Sequence, residues 1–318
     1  MKIVVTEPQF MSEPVRASLT RLGQVSFGPF DDRSFEHAIA HAKVLVVRLG
    51  RLIDAAVFAK ASGLRFVVTA ATGLDHIDLD AAKAAGVRVI SLRDCPESVR
   101  DVSATAEHTI GLMLALLRHI PSSASHVLAG GWDRTRFWGS QVRGKRLGII
   151  GYGRVGSMVA QSAAGLGMRV VAFDSDPQLI CAPAEPVTFE ELLQTSDIVS
   201  IHATSAPENR HLLDRKAIER LKAGGVLINT ARGHLIDEIA LAAAIRSGNL
   251  AGVAADVLDG EERGGAQFSP LLACARAGYN VLITPHIGGA AYEAIARAEA
   301  AVVDMLETEL KSSRAQVI

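Results

Sequence analysis

Aromatic residues and cysteines are scarce in this sequence, and their scarcity excludes several protein classes. Aromatic side chains account for 5% of the 318 residues, whereas small and branched aliphatic residues are abundant. This composition favours helices packed on a parallel sheet over an antiparallel sandwich. Cys95, Cys181 and Cys274 are too widely spaced for a disulfide framework or a metal-binding pattern. They predict reduced thiols in a cytoplasmic protein that binds no metal.

The sequence also has little net charge and no long apolar run. A formal net charge of −1 argues against nucleic acid or an anionic membrane as a partner. The most apolar segment, residues 110–117, has the length of a buried helix rather than a membrane span. The apolar run at residues 3–5 is too short for a signal peptide, which again favours the cytoplasm.

A glycine-rich turn stands between an apolar run, residues 147–150, and a helical pattern. Gly151 allows a tight turn, Gly153 lets a pyrophosphate approach the backbone, and Gly156 lets the helix pack close to the sheet. The N–H groups at the helix N-terminus can then bind phosphate. The turn consists of Gly151, Tyr152, Gly153, Arg154, Val155 and Gly156.

An acidic residue follows the next predicted strand, as a dinucleotide site requires. Residues 169–173 form an apolar run that ends at Asp174, eighteen residues after Gly156. A carboxylate there can accept hydrogen bonds from both ribose hydroxyls and would repel a 2′-phosphate. The pattern predicts an NAD site, with a glycine-rich turn in some other α/β domain as the alternative.

Predicted strands and helices alternate along the chain, which indicates doubly wound parallel sheets. Residues 1–100 carry no dinucleotide fingerprint, and the amphipathic last helix, residues 292–310, is expected to return to them. We therefore predict an α/β protein with two domains, residues 1–100 plus 290–318 and residues 101–289, of which the second binds NAD.

The connection between these domains is predicted to be a helix followed by a loop. The helix begins at Thr105 and is ended or kinked by Pro121. The following residues, 122–143, contain both tryptophans of the chain, Trp132 and Trp138. Their large side chains could close a contact between domains or subunits, or could fill the core.

Polar residues follow the strands of the second domain at the edge where parallel sheets bind ligands. Arg232, Glu261 and His286 could converge there. A histidine donates a proton to a carbonyl near neutral pH, a neighbouring carboxylate stabilises the imidazolium, and a guanidinium holds a substrate carboxylate. The residues at these strand ends are His202, Ala203, Thr204, Asn229, Thr230, Ala231, Arg232, Asp256, Glu261, His286 and Gly288.

Each of these residues also has a structural interpretation. His286 could be a satisfied strand-end residue, Arg232 a surface salt-bridge partner, and Asp256 a helix cap. His202 is expected to support its strand end or the cofactor. Together, however, the set suits reduction of a 2-keto acid by a nicotinamide.

The chain resembles the D-isomer-specific 2-hydroxyacid dehydrogenases over nearly its whole length. The matching segments are residues 72–78 (TGLDHID), 106–109 (AEHT), 151–156 (GYGRVG), 229–233 (NTARG), 256–261 (DVLDGE) and 285–289 (PHIGG). The resemblance implies a flavodoxin-like substrate domain built from both chain ends, an inserted Rossmann NAD domain, and a homodimer formed largely through the NAD domains.

The resemblance also implies roles for individual residues. Arg232, Glu261 and His286 match the catalytic set, and Arg232 and His286 would contact the substrate as well. Backbone N–H groups around Thr72 and Gly73 match the loop that holds the substrate carboxylate. The cofactor set would comprise Gly151, Gly153, Arg154, Val155, Gly156, Asp174, His202, Ala203, Thr204, Thr230, Ala231, Arg232, Asp256, His286 and Gly288.

Departures from the family pattern bear on the substrate. Thr69 stands where phosphoglycerate dehydrogenases tend to carry an arginine, which weakens the case for a phosphorylated substrate, although Arg48 or Arg51 could compensate. Two rival functions exist on this fold: a formate- or phosphite-oxidising enzyme, and a dinucleotide-sensing protein of the corepressor type.

Overall fold

The computed structural model describes residues 1–315, in which strands and helices alternate. Most strands are short runs rich in valine, isoleucine and leucine, which suit parallel strands buried on both faces. The strands are β1 (Lys2–Val5), β2 (Gln24–Phe27), β3 (Val44–Val47), β4 (Phe66–Thr69), β5 (Arg88–Ile90), β6 (Arg146–Ile150), β7 (Arg169–Phe173), β8 (Ala184–Pro186), β9 (Ile198–Ile201), β10 (Gly225–Asn229), β11 (Leu250–Ala255) and β12 (Val281–Ile283).

Several helices begin at a side chain that accepts a hydrogen bond from their first turn, as Asp31, Asp54 and Asp78 do. Such caps satisfy N–H groups that have no partner within the helix. The helices are α1 (Glu13–Leu22), α2 (Asp32–Ile39), α3 (Ala55–Lys60), α4 (Leu79–Ala84), α5 (Ala104–Leu117), α6 (Ile120–Leu128), α7 (Arg154–Gly165), α8 (Phe189–Thr195), α9 (Arg215–Glu219), α10 (Glu238–Arg246), α11 (Pro270–Arg276) and α12 (Tyr292–Ala315).

The chain divides into two compact units, and the first comprises residues 1–102 and the chain from Ala290 onward. Its five-stranded parallel sheet has the order β2-β1-β3-β4-β5. One face is covered by α2, α3 and α4, and the other by α1 and α12, where Leu19 and Leu306 are fully buried. The last helix therefore packs on the sheet formed by the first hundred residues.

The second unit, residues 103–289, contains a seven-stranded parallel sheet in the order β12-β11-β10-β9-β6-β7-β8. Apolar side chains cover both of its faces. The order reverses between β6 and β9, and this switch point is where open α/β sheets bind ligands. The predicted α/β class with two doubly wound parallel sheets is confirmed.

The region after the first unit differs from the prediction. Helix α5 ends at Leu117, and His119 adopts a left-handed conformation (φ 53°) that starts a second helix, α6. Pro121 lies in the first turn of α6, where proline is tolerated, so it neither ends nor kinks α5. Trp132 and Trp138 are 89% and 83% exposed, so the core-filling alternative was wrong. Among residues 1–315, no helix is long and apolar enough to cross a membrane.

Candidate functional site

The glycine turn lies at the switch point of the second sheet. Gly151 has a φ of +92°, and a Cβ atom there would lie 2.6 Å from the Ala203 backbone nitrogen. A Cβ on Gly156 would lie 2.2 Å from the Gly151 carbonyl oxygen, whereas one on Gly153 would meet nothing within 4 Å. Two glycines thus allow close packing, and the third leaves open space at the start of α7. Arg154 and Val155 form the first turn of that helix and are half-buried.

Asp174 links the glycine turn to the end of β7. Its Oδ2 atom accepts a hydrogen bond from the Tyr152 N–H (2.7 Å), and its Oδ1 atom accepts one from the Asp176 N–H (3.0 Å). The carboxylate is half-buried and is therefore fixed beside the turn, at the position expected of a ribose-binding acid. Both the turn and the acid fit a bound dinucleotide.

The neighbouring strand β9 ends in His202, Ala203 and Thr204 beside this turn. The His202 N–H donates to the Ile150 carbonyl (2.7 Å), and the His202 Nε2 atom lies 2.8 Å from the Ser200 Oγ atom. Burial lowers the pKa of His202 to about 4, so the ring is neutral at physiological pH. A neutral histidine here supports the strand end.

Asp256 organises the turn that carries His286. The Asp256 side chain is 1% exposed and accepts hydrogen bonds from the Thr284 hydroxyl (2.6 Å) and from the backbone N–H groups of Ile287 (2.9 Å) and Gly288 (2.7 Å). A Cβ on Gly288 would lie 2.9 Å from the Asp256 Oδ2 atom. The helix-cap interpretation of Asp256 was therefore wrong, because this carboxylate holds a turn that is distant in sequence.

His108, on α5, also belongs to this network, although the sequence reasoning assigned it no role. The His108 Nε2 atom lies 3.1 Å from the Thr284 Oγ1 atom and 3.2 Å from the Asp256 Oδ1 atom. On the same helix, Thr109 Oγ1 lies 2.8 Å from Thr230 Oγ1. In the sequence, His108 and Thr109 are marked by their place in residues 106–109, a segment that matches the family.

The structure brings Glu261 and His286 together. Glu261 follows β11 and His286 follows β12, and these strands are neighbours in the sheet. The His286 Nδ1 atom is hydrogen-bonded to the Glu261 Oε1 atom. The two side chains are 27% and 16% exposed, which leaves the imidazole accessible while the carboxylate is more protected. This arrangement orients the ring and can stabilise its protonated form.

Arg232 lies at the end of the adjacent strand, β10. Asn229 fixes its backbone, because the Asn229 amide accepts the Ala231 N–H (3.0 Å) and donates to the Arg232 carbonyl (2.8 Å). A Cβ on Gly233 would lie 2.0 Å from the Leu258 carbonyl carbon, so this turn packs directly on the segment that leads to Glu261. Arg232 is half-buried, and its guanidinium donates a hydrogen bond to the Ala231 carbonyl (2.7 Å).

Thr72 and Gly73 lie in the first unit, beyond the end of β4, and the Thr72 carbonyl accepts a hydrogen bond from Arg93 Nε (2.7 Å). Two arginines at the same edge have acidic partners. The Arg48 Nη1 atom lies 3.6 Å from the Glu299 Oε1 atom, and the Arg51 Nη1 atom lies 2.9 Å from the Asp32 Oδ1 atom.

No group of three or more histidine, cysteine or acidic side chains able to hold a metal ion occurs within the described residues. The residues at the carboxyl edge of the second sheet instead fit a dinucleotide. When bound, NAD would supply the hydride chemistry. The residues that would hold it are those of the glycine turn, Asp174, and the ends of β9, β10, β11 and β12.

Comparison with known proteins identifies the family. The family profile of the D-isomer specific 2-hydroxyacid dehydrogenase NAD-binding domain matches residues 110–288. D-3-phosphoglycerate dehydrogenase of Mycobacterium leprae is 36% identical over 278 residues, which are 86% of this chain but 50% of that protein. Hydroxypyruvate reductase of Thermotoga maritima is 33% identical over 272 residues, 86% of each chain. The chain spans about half the length of the phosphoglycerate dehydrogenases it matches.

Solved structures agree with these relatives. D-lactate dehydrogenase of Aquifex aeolicus, in complex with NAD and lactic acid, has a TM-score of 0.83 at 26% identity and covers 100% of this chain and 97% of its own. NAD-dependent formate dehydrogenase of Staphylococcus aureus has a TM-score of 0.84 at 26% identity and covers 98% and 96%. With its NAD-binding domain and its two parallel sheets, this chain belongs to the D-isomer specific 2-hydroxyacid dehydrogenase family.

Proposed function

We propose that this protein is an NAD-dependent D-2-hydroxyacid dehydrogenase that interconverts a small D-2-hydroxy acid and its 2-keto acid. The observation that carries the proposal is the hydrogen bond between His286 and Glu261 at the sheet edge that holds the glycine turn. A histidine oriented by a carboxylate can donate a proton to a carbonyl oxygen and take it back in the reverse reaction, and Arg232 can bind a substrate carboxylate.

Each residue has a distinct role in the proposed reaction. His286 holds and moves the proton, while Glu261 fixes the ring orientation and stabilises the imidazolium. Arg232 binds the substrate carboxylate and polarises the carbonyl. For the first unit, the family resemblance assigns the binding of a substrate carboxylate to backbone N–H groups around Thr72 and Gly73. Asp256 holds the turn that carries His286 through its bonds to Ile287 and Gly288.

For the substrate, we propose an unphosphorylated 2-keto acid. A phosphate dianion needs guanidinium or ammonium partners. Arg48 faces the buried carboxylate of Glu299, and Arg51 is held by Asp32, by the Phe30 carbonyl (3.0 Å) and by the Phe35 ring, 4.2 Å from its guanidinium. Phosphoglycerate dehydrogenases tend to carry an arginine at the position of Thr69. Arg48 and Arg51, which could take its place, therefore both have partners within the first unit.

The test is NADH consumption against a panel of 2-keto acids: glyoxylate, hydroxypyruvate, pyruvate, phosphohydroxypyruvate and bulkier analogues. We expect turnover with a small unphosphorylated acid, a loss of about 10²–10⁴-fold in His286→Ala, and no loss in the exposed-histidine control His41→Ala. Tight NADH binding without turnover of any panel member, or NAD reduction by formate or phosphite, would contradict the proposal.

We also propose a homodimer in the cytoplasm. All three cysteines are free thiols, as in a reducing compartment. Leu128, Trp132 and Trp138 in the second unit are 89%, 89% and 83% exposed, and apolar side chains exposed to this degree favour contact with a second copy of the chain. Light scattering should give twice the chain mass for the wild type and a monomer for the variant with Trp132→Ala and Trp138→Ala. A monomeric wild type would exclude the homodimer.

A further inference from the structure

Glu238 is a buried carboxylate that the mechanism above does not use. It is the first residue of α10 and is only 8% exposed. Glutamates are seldom buried to this extent unless they have hydrogen-bonding partners. The partners of Glu238 therefore indicate what its carboxylate does.

Both oxygens of Glu238 bind the segment that carries Glu261. The Oε1 atom accepts the Asp259 N–H (2.9 Å), and the Oε2 atom accepts the Ser269 hydroxyl (2.6 Å). Asp259 lies two residues before Glu261, and Ser269 lies eight residues after it. One carboxylate thus clamps both ends of residues 259–269.

This segment has little regular structure of its own. It contains two short 3-10 turns, at residues 261–263 and 265–268, and Gly260 and Gly264 both have left-handed conformations. A segment of this kind depends on side-chain contacts for its position.

The direction of the Glu261 side chain follows from the position of this segment. Its Oε2 atom accepts the Leu258 N–H (3.0 Å), so the carboxylate is tied to its own turn, and its Oε1 atom is the one that contacts His286. If the turn moves, the contact with His286 moves with it. A displacement of about 1 Å at a catalytic group can lower a rate by about 10²-fold.

We propose that Glu238 is a positioning residue, which clamps residues 259–269 from the start of α10 and so holds Glu261 against His286. The inference rests on the dehydrogenase function proposed above. Glu238 itself is assigned no contact with the substrate or the cofactor; it acts through Asp259, Ser269 and Glu261.

The test compares Glu238→Ala with Glu238→Gln and with a control on the neighbouring residue, Asp237→Ala. Asp237 caps α10 through the Ala240 N–H (2.9 Å) and is not part of the proposed clamp. We expect kcat to fall about 10–100-fold in Glu238→Ala while the NADH dissociation constant stays within about twofold. Glu238→Gln, which can still accept the Asp259 N–H, should recover most of the activity. Asp237→Ala should lose stability but little kcat.

Hydrogen exchange keeps this inference separate from the proposed function. The amides of residues 259–265 should exchange faster in Glu238→Ala than in the wild type or Asp237→Ala, whether or not the protein turns over a 2-keto acid. Unchanged exchange, equal kcat values for Glu238→Ala and Asp237→Ala, or a Glu238→Gln variant as slow as Glu238→Ala would each overturn the clamp. A wild type without turnover would refute the dehydrogenase function instead.

Discussion

The carboxyl edges of the two sheets can be compared directly, because both sheets are parallel and each has a buried or half-buried carboxylate that binds backbone N–H groups. In the first unit, Glu7 accepts the N–H groups of Arg48 and Gly50, both at 2.8 Å. In the second unit, Asp256 accepts those of Ile287 and Gly288. Each carboxylate fixes a turn that follows a strand.

The two edges differ in how their ionisable side chains are paired. In the first unit, arginines face acids that neutralise them, as Arg48 does with Glu299. In the second unit, the imidazole of His286 faces the carboxylate of Glu261. Charges at strand ends therefore do not by themselves mark a reactive site, because the partner of each charge decides whether it stabilises a turn or performs chemistry.

The largest difference is expected between variants of Asp256 and Glu7, the two carboxylates that hold turns. Asp256→Ala leaves buried N–H groups without acceptors, so we expect the free energy of unfolding to fall by about 2–4 kcal/mol and kcat to fall at least about 100-fold. Glu7→Ala, in the more exposed turn of the first unit, should change kcat by less than about tenfold. Urea unfolding and NADH consumption measure both. Equal losses of kcat in the two variants would show that the two edges do not differ in this way.

Asp174→Asn should change the choice of cofactor. The amide keeps the shape of the side chain but loses the charge that repels a 2′-phosphate and attracts the ribose hydroxyls. The ratio of kcat/KM for NADH over NADPH should fall about 10–100-fold. Asp176 lies two residues after Asp174 and is exposed, so Asp176→Asn is the control and should leave the ratio unchanged. An unaltered ratio in Asp174→Asn would remove Asp174 from the cofactor site.

Glu299→Gln should remove the negative charge that faces Arg48 at the carboxyl edge of the first sheet. Without this carboxylate, the Arg48 guanidinium can attract a substrate phosphate, so the kcat/KM of phosphohydroxypyruvate relative to hydroxypyruvate should rise about tenfold. Asp32→Asn is the matched variant for Arg51, which the Phe30 carbonyl and the Phe35 ring still hold, and it should have a smaller effect. A wild type that already prefers the phosphorylated acid would contradict the proposed substrate.

The smallest effect concerns His202. Its pKa is about 4 in the folded chain, against 6.5 for an unperturbed histidine, so at intermediate pH the unfolded chain binds the proton. Stability from this group is complete above pH 6.5 and is lost as the pH falls towards 4. Between about pH 7 and about pH 5.5 the loss should be about 1 kcal/mol. Urea midpoints should show a shallower pH dependence in His202→Gln; an identical dependence would refute this assignment.

Most of the fold could be predicted because buried parallel strands are continuous aliphatic runs, and β7 has the bounds of the apolar run expected at residues 169–173. Strand β8, three residues that end in proline, has no such signal. Helix α6 was missed because the left-handed His119 starts a new helix directly after α5. Local sequence patterns do not reveal a left-handed backbone conformation at a residue other than glycine.

The candidate site could be predicted only in part. The contact between Glu261 and His286 could be predicted because both residues follow strands whose carboxyl ends meet at one edge. The hydrogen bonds from Ile287 and Gly288 to Asp256 span more than thirty residues of sequence, and no spacing rule predicts them. Glu238 follows Asp237 at a helix start, a pattern typical of capping, so its contacts with Asp259 and Ser269 were not expected.

The most direct test of the proposed mechanism is a single turnover of enzyme-bound NADH with the best 2-keto acid of the panel, in the wild type and in His286→Ala. With both proteins saturated with NADH, we predict hydride transfer about 10²–10⁴-fold slower in the variant, because the proton donor is lost. Hydride transfer at the wild-type rate in His286→Ala would contradict the central claim that His286, held by Glu261, delivers the proton.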